Sequence, residues 1–302
     1  MGSLDGRITI ITGAGRGLGR AHALLFAAEG ARVVVNDLGD DAGRAAVADV
    51  VDEIRAAGGD AVANHDDVTD WEGGTRLVAA AVDHFGGLDV LVNNAGILRD
   101  RALVNMTEQE WDEVTTVHLK GHFVPTRHAA SYWRERSKDG APRDASVIHT
   151  ASTSGLLGNP GQTNYGAAKA GVAAFSAICA RELARYGVRS NCVVPAARTR
   201  LTEATPGLSE MMAAPGDGAG FDVWDPANVS PVVAHLAAAG RTANGRTVFV
   251  QGGTIRLMEG WHFTDTVERE SRWSIGDLAE QLAPLLEDGD SSPDRPSEDH
   301  TG

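Results

Sequence analysis

Tyr165 and Lys169 stand four residues apart at the start of a predicted helix, so their side chains share one face. A phenol has an ordinary pKa of ~10 and exchanges its proton poorly at neutral pH; a nearby ammonium favours the phenolate. Such a pair can take a proton from, or give one to, a bound oxygen. Ser152 precedes Tyr165 by 13 residues and follows a predicted strand. Asn93-Asn94-Ala95-Gly96 follows another strand, whose C-terminal end faces the same crevice. A Tyr-x-x-x-Lys pair alone is a common coincidence, and its weight comes from this setting.

A second constellation lies at the N-terminus. A strand runs directly into Thr12-Gly13-Ala14-Gly15-Arg16-Gly17-Leu18-Gly19 and then into an Ala-rich helix. Glycines at 13, 17 and 19 let the backbone approach a pyrophosphate, and the helix start offers unpaired N–H groups and a positive dipole end to the anion. A bare glycine turn is weak evidence, but a strand before it and a helix after it are the context that dinucleotide binding requires. Asp37 ends the second strand, 24 residues after Gly13. There a carboxylate accepts hydrogen bonds from ribose hydroxyls and repels a 2′-phosphate, which favours NAD over NADP. Arg16 can still admit a phosphate. Asp67-Val68 is placed to hydrogen-bond an adenine edge, though by itself it is an ordinary loop dipeptide.

Alternating elements must position these groups. Short, nearly continuous apolar runs at 7–11, 31–36, 88–92, 146–149, 188–194 and 247–250 read as strands buried on both faces. Amphipathic stretches at 20–30, 43–57, 71–85, 108–136, 165–186 and 226–239 read as helices. The alternation predicts βαβ units in a single Rossmann-like, doubly wound parallel α/β sheet with helices on both faces. The expected organisation is a dinucleotide-binding catalytic domain over residues 1–260, a helical extension over 261–286 and a disordered acidic tail over 287–302. That tail holds six acids and one arginine.

The chain has 302 residues and a net charge of −14, which argues against nonspecific nucleic-acid binding and against a membrane-surface role. Its two cysteines, Cys179 and Cys192, have no CxxC spacing, so neither a disulfide scaffold nor a structural zinc site is expected. His118 and His122 are four residues apart but lack an acidic third ligand, and no metal is expected. The N-terminus lacks signal-peptide features and no apolar run approaches a membrane span, so a cytoplasmic location is expected. The 36 glycines point to many tight turns and close backbone approaches.

Together, TGxxxGxG, NNAG, Ser152, YxxxK and a C-terminal GG, in that order, make the sequence resemble the short-chain dehydrogenase/reductases over residues 5–254. The resemblance implies that Tyr165 is the catalytic acid/base, that Lys169 lowers its pKa and holds the nicotinamide ribose, and that Ser152 positions and polarises the substrate oxygen. It implies a cofactor site formed by Gly13, Gly15, Arg16, Gly17, Leu18, Gly19, Asp37, Asp67, Val68, Asn93, Ala95, Gly96, Tyr165, Lys169, Pro195 and Thr199. By analogy the helices at 108–136 and 165–186 make subunit contacts, so a homodimer or homotetramer is expected.

Two departures from the family pattern stand out. Where the family usually has its fourth catalytic residue, an Asn in an NLxG segment, this chain has Val117-His118-Leu119-Lys120-Gly121. The resemblance puts His118 in that catalytic place, where an imidazole can hold a water or a backbone carbonyl and support a proton relay to Lys169. Pro195-Ala196 replaces the common Pro-Gly. With VVVNDLG, NNAGILRDR and GNPGQTNYGAAKAG, the VHLKG segment resembles the (3R)-hydroxyacyl-CoA dehydrogenase part of the β-oxidation multifunctional enzyme and its bacterial single-domain relatives. That implies NAD-dependent interconversion of a (3R)-3-hydroxyacyl-CoA and its 3-oxoacyl-CoA, in lipid or sterol side-chain metabolism. An NADPH-dependent 3-oxoacyl reductase, a dehydrogenase of a free cyclic alcohol and an inactive cofactor-binding regulator are the alternatives.

The segment Thr199 to Trp224 falls where relatives carry a mobile substrate loop, with Leu208, Met211, Met212 and Phe221 available to line an apolar pocket or to cover a sheet edge. Arg99, Arg101, Arg198 and Arg200 are candidates for CoA phosphates, or else ordinary partners of acids. Met258, Trp261, Phe263 and Trp273 read as cover for a subunit surface.

Overall fold

The computed structural model describes residues 2–141, 143–199, 212–213, 215 and 220–287. The chain divides into one unit of Met1–Met258 and a second of Glu259–Gly302. In the first, eight strands form one sheet in the order β3-β2-β1-β4-β5-β6-β7-β8. They are β1 Ile8–Thr12, β2 Arg32–Asn36, β3 Asp60–Asn64, β4 Val90–Asn93, β5 Ala145–Thr150, β6 Val188–Pro195, β7 Thr247–Gln251 and β8 Thr254–Met258. Every pairing is parallel except that of β7 with β8. This is the doubly wound α/β sheet that the strand and helix alternation predicts.

The helices are α1 Gly17–Ala28, α2 Asp41–Ala56, α3 Trp71–Phe85, α4 Glu108–Thr115, α5 Gly121–Lys138, α6 Thr153–Leu156, α7 Thr163–Leu183 and α8 Ser230–Ala237. Strand side chains alternate between two apolar layers. Ile11, Val33 and Val35 pack with Phe26 of α1, Val47 of α2 and Val233 of α8, whereas Ile8, Ile10 and Val34 pack with Leu77 of α3, Trp133 of α5 and Leu183 of α7. Burial on both faces explains why these strands read as continuous apolar runs.

Two strands and one interruption differ from the sequence reading. β3 reads DAVAN, too polar at its ends and too poor in large apolar side chains to stand out. β8 reads TIRLM and is mostly exposed; it returns from β7 through the Gly252-Gly253 turn, with φ of 52° at Gly252. The segment expected as one helix over 108–136 is broken by a π-helical stretch, Thr116–Lys120, between α4 and α5. Such bulges are rare and cluster at functional sites, and this one carries His118. Among the described residues no helix is long and apolar enough to cross a membrane.

In the second unit, Ile275–Gln281 is helical and capped by Ser274, whose hydroxyl accepts from Asp277 N while the Asp277 carboxylate accepts from Ser274 N. A short helix, Ala283–Glu287, follows. Residues 288–302, which make up all but the first residue of the expected tail, lie outside the described residues.

Candidate active site

Sheet order reverses at β1, which has β2 on one side and β4 on the other. In open α/β sheets the crevice beyond the carboxyl ends of strands at such a point is where ligands bind. The glycine loop leaves β1 there and the Asn93-Asn94-Ala95-Gly96 turn leaves β4 beside it. The two turns are stitched together. Thr12 Oγ1 accepts from Asn94 N at 2.9 Å and Ala95 N at 3.1 Å, and Asn94 Nδ2 donates to the carbonyls of Thr12 and Gly13 at 3.1 and 3.2 Å. A Cβ on Gly13 would lie 2.8 Å from Ala95 Cα, and one on Gly19 2.2 Å from the Gly13 carbonyl oxygen. Only glycine permits these backbones to approach so closely.

The loop fits a dinucleotide pyrophosphate. Arg16, the N-cap of α1, gives the first helical turn no side-chain acceptor, so its N–H groups and dipole are available to an anion. Thr199 arches over the same place, its Cγ2 3.6 Å from where a Cβ on Gly17 would be. Asp37 reaches back to the loop, its carboxylate accepting from Gly15 N at 3.0 Å and Leu38 N at 2.9 Å. Arg16 donates to the Ala42 carbonyl at 2.7 Å. Leu18 packs against the core on the α1 side, and Pro195 ends β6 just before the Ala196 N bond to the Val250 carbonyl at 2.9 Å.

Other expected cofactor residues sit less simply. Asp67 closes a local turn, accepting from both N and Oγ1 of Thr69 at 2.8 Å. Val68 is buried and packs toward Gly121 at the start of α5. Asn93 turns its side chain into the protein, where Nδ2 donates to Thr126 Oγ1 at 2.9 Å, so only its backbone borders the crevice. Gly96 faces His118.

The catalytic candidates converge at the ends of β4 and β5. Ser152 caps α6, its hydroxyl accepting from Ser154 N at 3.2 Å, and it hydrogen-bonds Tyr165. Tyr165 and Lys169 rise from the first turns of α7. Lys169 is 2% exposed; its ammonium donates to the Thr150 carbonyl at 2.5 Å and sits 5.6 Å from the Tyr165 ring centre. The His118 ring meets Tyr165 edge-on at 5.1 Å, and its Nε2 lies 2.8 Å from the Ile97 carbonyl oxygen and 3.2 Å from Ile97 N.

Electrostatics at this centre oppose charge. Burial pushes the Tyr165 phenol up to about 12; the Ser152 hydrogen bond opposes that rise and the Asp100 charge adds to it. Burial pulls Lys169 down to about 7, against a smaller upward pull from the charge of an ionised Cys192. His118 lies well below its ordinary value, through burial first and the Lys169 charge second. Lys169, expected to lower the Tyr165 pKa, is not among the groups that move it here; its ammonium lies over the ring and is bonded to Thr150, and desolvation sets the direction.

A supporting network emerges that spacing alone does not reveal. Gln162 donates to Asp100 at 2.8 Å while its carbonyl accepts from Ser154 Oγ at 2.7 Å and Asn159 Nδ2 at 2.8 Å. Asn164 donates to the Arg99 and Glu110 carbonyls at 3.0 Å and accepts from Tyr165 N at 2.7 Å. These bonds tie the stretch after β4 to the start of α7. Both residues stand just before Tyr165 in the GNPGQTNYGAAKAG stretch, so polar side chains at a helix start were the available signal.

The arginines considered for CoA are engaged. Arg99 pairs with Glu113 and Arg101 with Glu110, each at 2.8 Å, and Arg198 with Asp222. Arg200, Leu208 and Met211 lie outside the described residues; Met212 is buried and Phe221 exposed.

Comparison with known proteins gives the family and supports the fold. The family model for short chain dehydrogenase matches residues 7–212. Hydroxyacyl-CoA dehydrogenase ChsB1 of Mycobacterium tuberculosis is 45% identical over 86% of this chain and 81% of its own length. Peroxisomal multifunctional enzyme type 2 of Drosophila melanogaster is 45% identical over 80% of this chain, which spans only 38% of that longer protein. The crystal structure of a short chain dehydrogenase from Mycobacterium avium superposes with a TM-score of 0.85 at 50% identity, covering 95% of this chain and 96% of that one. The chain thus belongs to the short-chain dehydrogenase family.

Proposed function

We propose that the protein is an NAD-dependent dehydrogenase that interconverts a (3R)-3-hydroxyacyl-CoA and its 3-oxoacyl-CoA. The observation that carries the chemistry is the convergence of Ser152, Tyr165 and Lys169 beside the glycine loop. A bound nicotinamide ring accepts or supplies the hydride. In oxidation Ser152 hydrogen-bonds the substrate hydroxyl, and Tyr165, acting as the phenolate after releasing its own proton, takes the hydroxyl proton as hydride leaves the carbon that bears that oxygen; reduction reverses both transfers. Lys169 stabilises the phenolate and orients the ribose, and His118 holds the Ile97 backbone behind the Tyr165 ring.

The Asp37 carboxylate at the glycine loop supports NAD over NADP. The acyl-CoA class is supported by the hydroxyacyl-CoA dehydrogenase name of the Mycobacterium tuberculosis relative. We assign catalysis to residues 1–260 and a surface-covering role to 261–286. A homodimer or homotetramer through α5 and α7 is supported by the exposed Phe123 and Ile178 on those helices.

The test is an NADH-forming assay with a panel of 3-hydroxyacyl-CoAs and free secondary alcohols. Turnover of the thioesters, lost in Tyr165→Phe, supports the proposal. Turnover only of free alcohols, or only with NADP, replaces it with one of the other dehydrogenase readings.

A further inference from the structure

Behind Lys169 the interface between sheet and helices is polar where such layers are ordinarily apolar. His149 of β5 lies against His122 of α5, with ring centres 5.5 Å apart, planes 23° from parallel and Nδ1 atoms 3.4 Å apart. Asn93 Nδ2 lies 3.3 Å from the same His149 Nδ1 while also donating to Thr126. His149 immediately precedes Thr150, whose carbonyl accepts the Lys169 ammonium, and it pairs in register with Cys192 of β6. Asn93, His122 and His149 are all essentially inaccessible to solvent.

Among the described residues, four buried atoms in this region have no hydrogen-bond partner: Asn93 Oδ1, His118 Nδ1, His122 Nε2 and His149 Nε2. Buried polar atoms rarely stay unbonded, and internal sites rich in them are where proteins order water. The groups that act on one another here are Lys169 and Tyr165 of α7, His118 of the π stretch, His122 of α5, His149 of β5 and Cys192 of β6. Burial and the Lys169 charge keep all three imidazoles neutral at neutral pH.

We infer that Asn93, Thr126, His122 and His149 form a neutral, water-holding backing for Lys169, and that the two histidines are positioning residues for its ammonium. The residue types suit that task. A carboxylate here would pair with the ammonium and fix its proton; an apolar side chain would strip the last of its solvation and expel the proton. A neutral imidazole has a lone pair and an N–H to offer and carries no charge to compete. The effect on turnover rests on the proposed dehydrogenase reading, whereas the electrostatic coupling does not.

Two measurements test the inference separately. Histidine-selective 15N NMR on the full chain needs no substrate. The ring signals of His122 and His149 should keep neutral shifts from pH 5 to 9 yet show an inflection near neutrality, where Lys169 loses its proton, and Lys169→Met should abolish it. Flat signals, or an inflection that survives Lys169→Met, overturn the inference. The second measurement is the pH profile of kcat on the best substrate. His149→Phe keeps an aromatic ring against Phe175, which lies 5.3 Å away, and removes only polar atoms. The alkaline limb should move to lower pH by about half a unit or more, and His149→Gln should return most of it. An unmoved limb with a lower kcat indicates a packing role alone and also overturns the inference. Absence of turnover on every 3-hydroxyacyl-CoA counts against the proposed function and leaves the NMR result to decide this one.

Discussion

His118 occupies the space that the missing side chain of Gly96 leaves open: a Cβ on Gly96 would lie 2.4 Å from His118 Cε1. Because His118 Nε2 also holds the Ile97 backbone, through its carbonyl or its N–H according to tautomer, and the ring meets Tyr165 edge-on, the turn after β4 and the Tyr165 ring are mechanically linked.

Gly96→Ala should therefore push His118 away from Ile97 and Tyr165. The expected outcome is a stability loss of about 1–3 kcal/mol from overpacking together with a fall in kcat of about tenfold or more, since small misplacements of reacting groups carry large rate costs. Thermal melting and steady-state kinetics on one preparation check both. An unchanged kcat would show that His118 does not position Tyr165.

Asp37→Ser removes the carboxylate that accepts from Gly15 N and Leu38 N. Affinity for NADH should fall about tenfold, the loss expected for one charge-assisted hydrogen-bonding group, and the preference over NADPH should narrow or reverse. Fluorescence titration with both reduced cofactors measures it. A variant that keeps its full preference would place cofactor choice elsewhere.

Acid should destabilise the fold well above the carboxylate range. His22 and His149 are held neutral by burial, down to about 3, and His118 and His122 lie well below their ordinary value for the same first reason. Below the unfolded histidine pKa of ~6.5 the unfolded chain binds protons that the folded chain refuses, so stability drops as pH falls, by roughly 1.4 kcal/mol per imidazole per pH unit. Melting at pH 5.5 should come about 10 °C or more below that at pH 7.5. Equal melting temperatures would mean that these rings protonate freely in the native state.

The exposed aromatic and aliphatic groups on α5 and α7 give a prediction about assembly. Phe123→Glu combined with Ile178→Glu places charge on the face proposed for subunit contact, and sedimentation should show the protein become a smaller species. A native protein that already sediments as a monomer would remove the oligomer proposal.

Much of this site is legible in the sequence because its parts obey local rules. The glycine loop, Asp37, Ser152 and the Tyr165/Lys169 pair are each fixed by where a strand ends or a helix begins, and apolar runs mark most of the strands. What was hidden depends on contacts across the fold. The inward turn of the Asn93 side chain, the capture of Ile97 by His118 and the stacking of His122 on His149 join residues 21 to 56 positions apart, with no spacing signature. The break at Thr116–Lys120 was invisible because a π turn leaves the helical pattern almost intact. The upward push on Tyr165 required burial to be known.

The central claim is hydride transfer from C3 of a 3-hydroxyacyl thioester to NAD, and isotope transfer measures it most directly. A (3R)-3-hydroxyacyl-CoA deuterated at C3 should yield NADH carrying deuterium at nicotinamide C4, with stoichiometric 3-oxoacyl-CoA and none of either from Tyr165→Phe. Unlabelled NADH, or label that reaches only NADPH, would contradict the account.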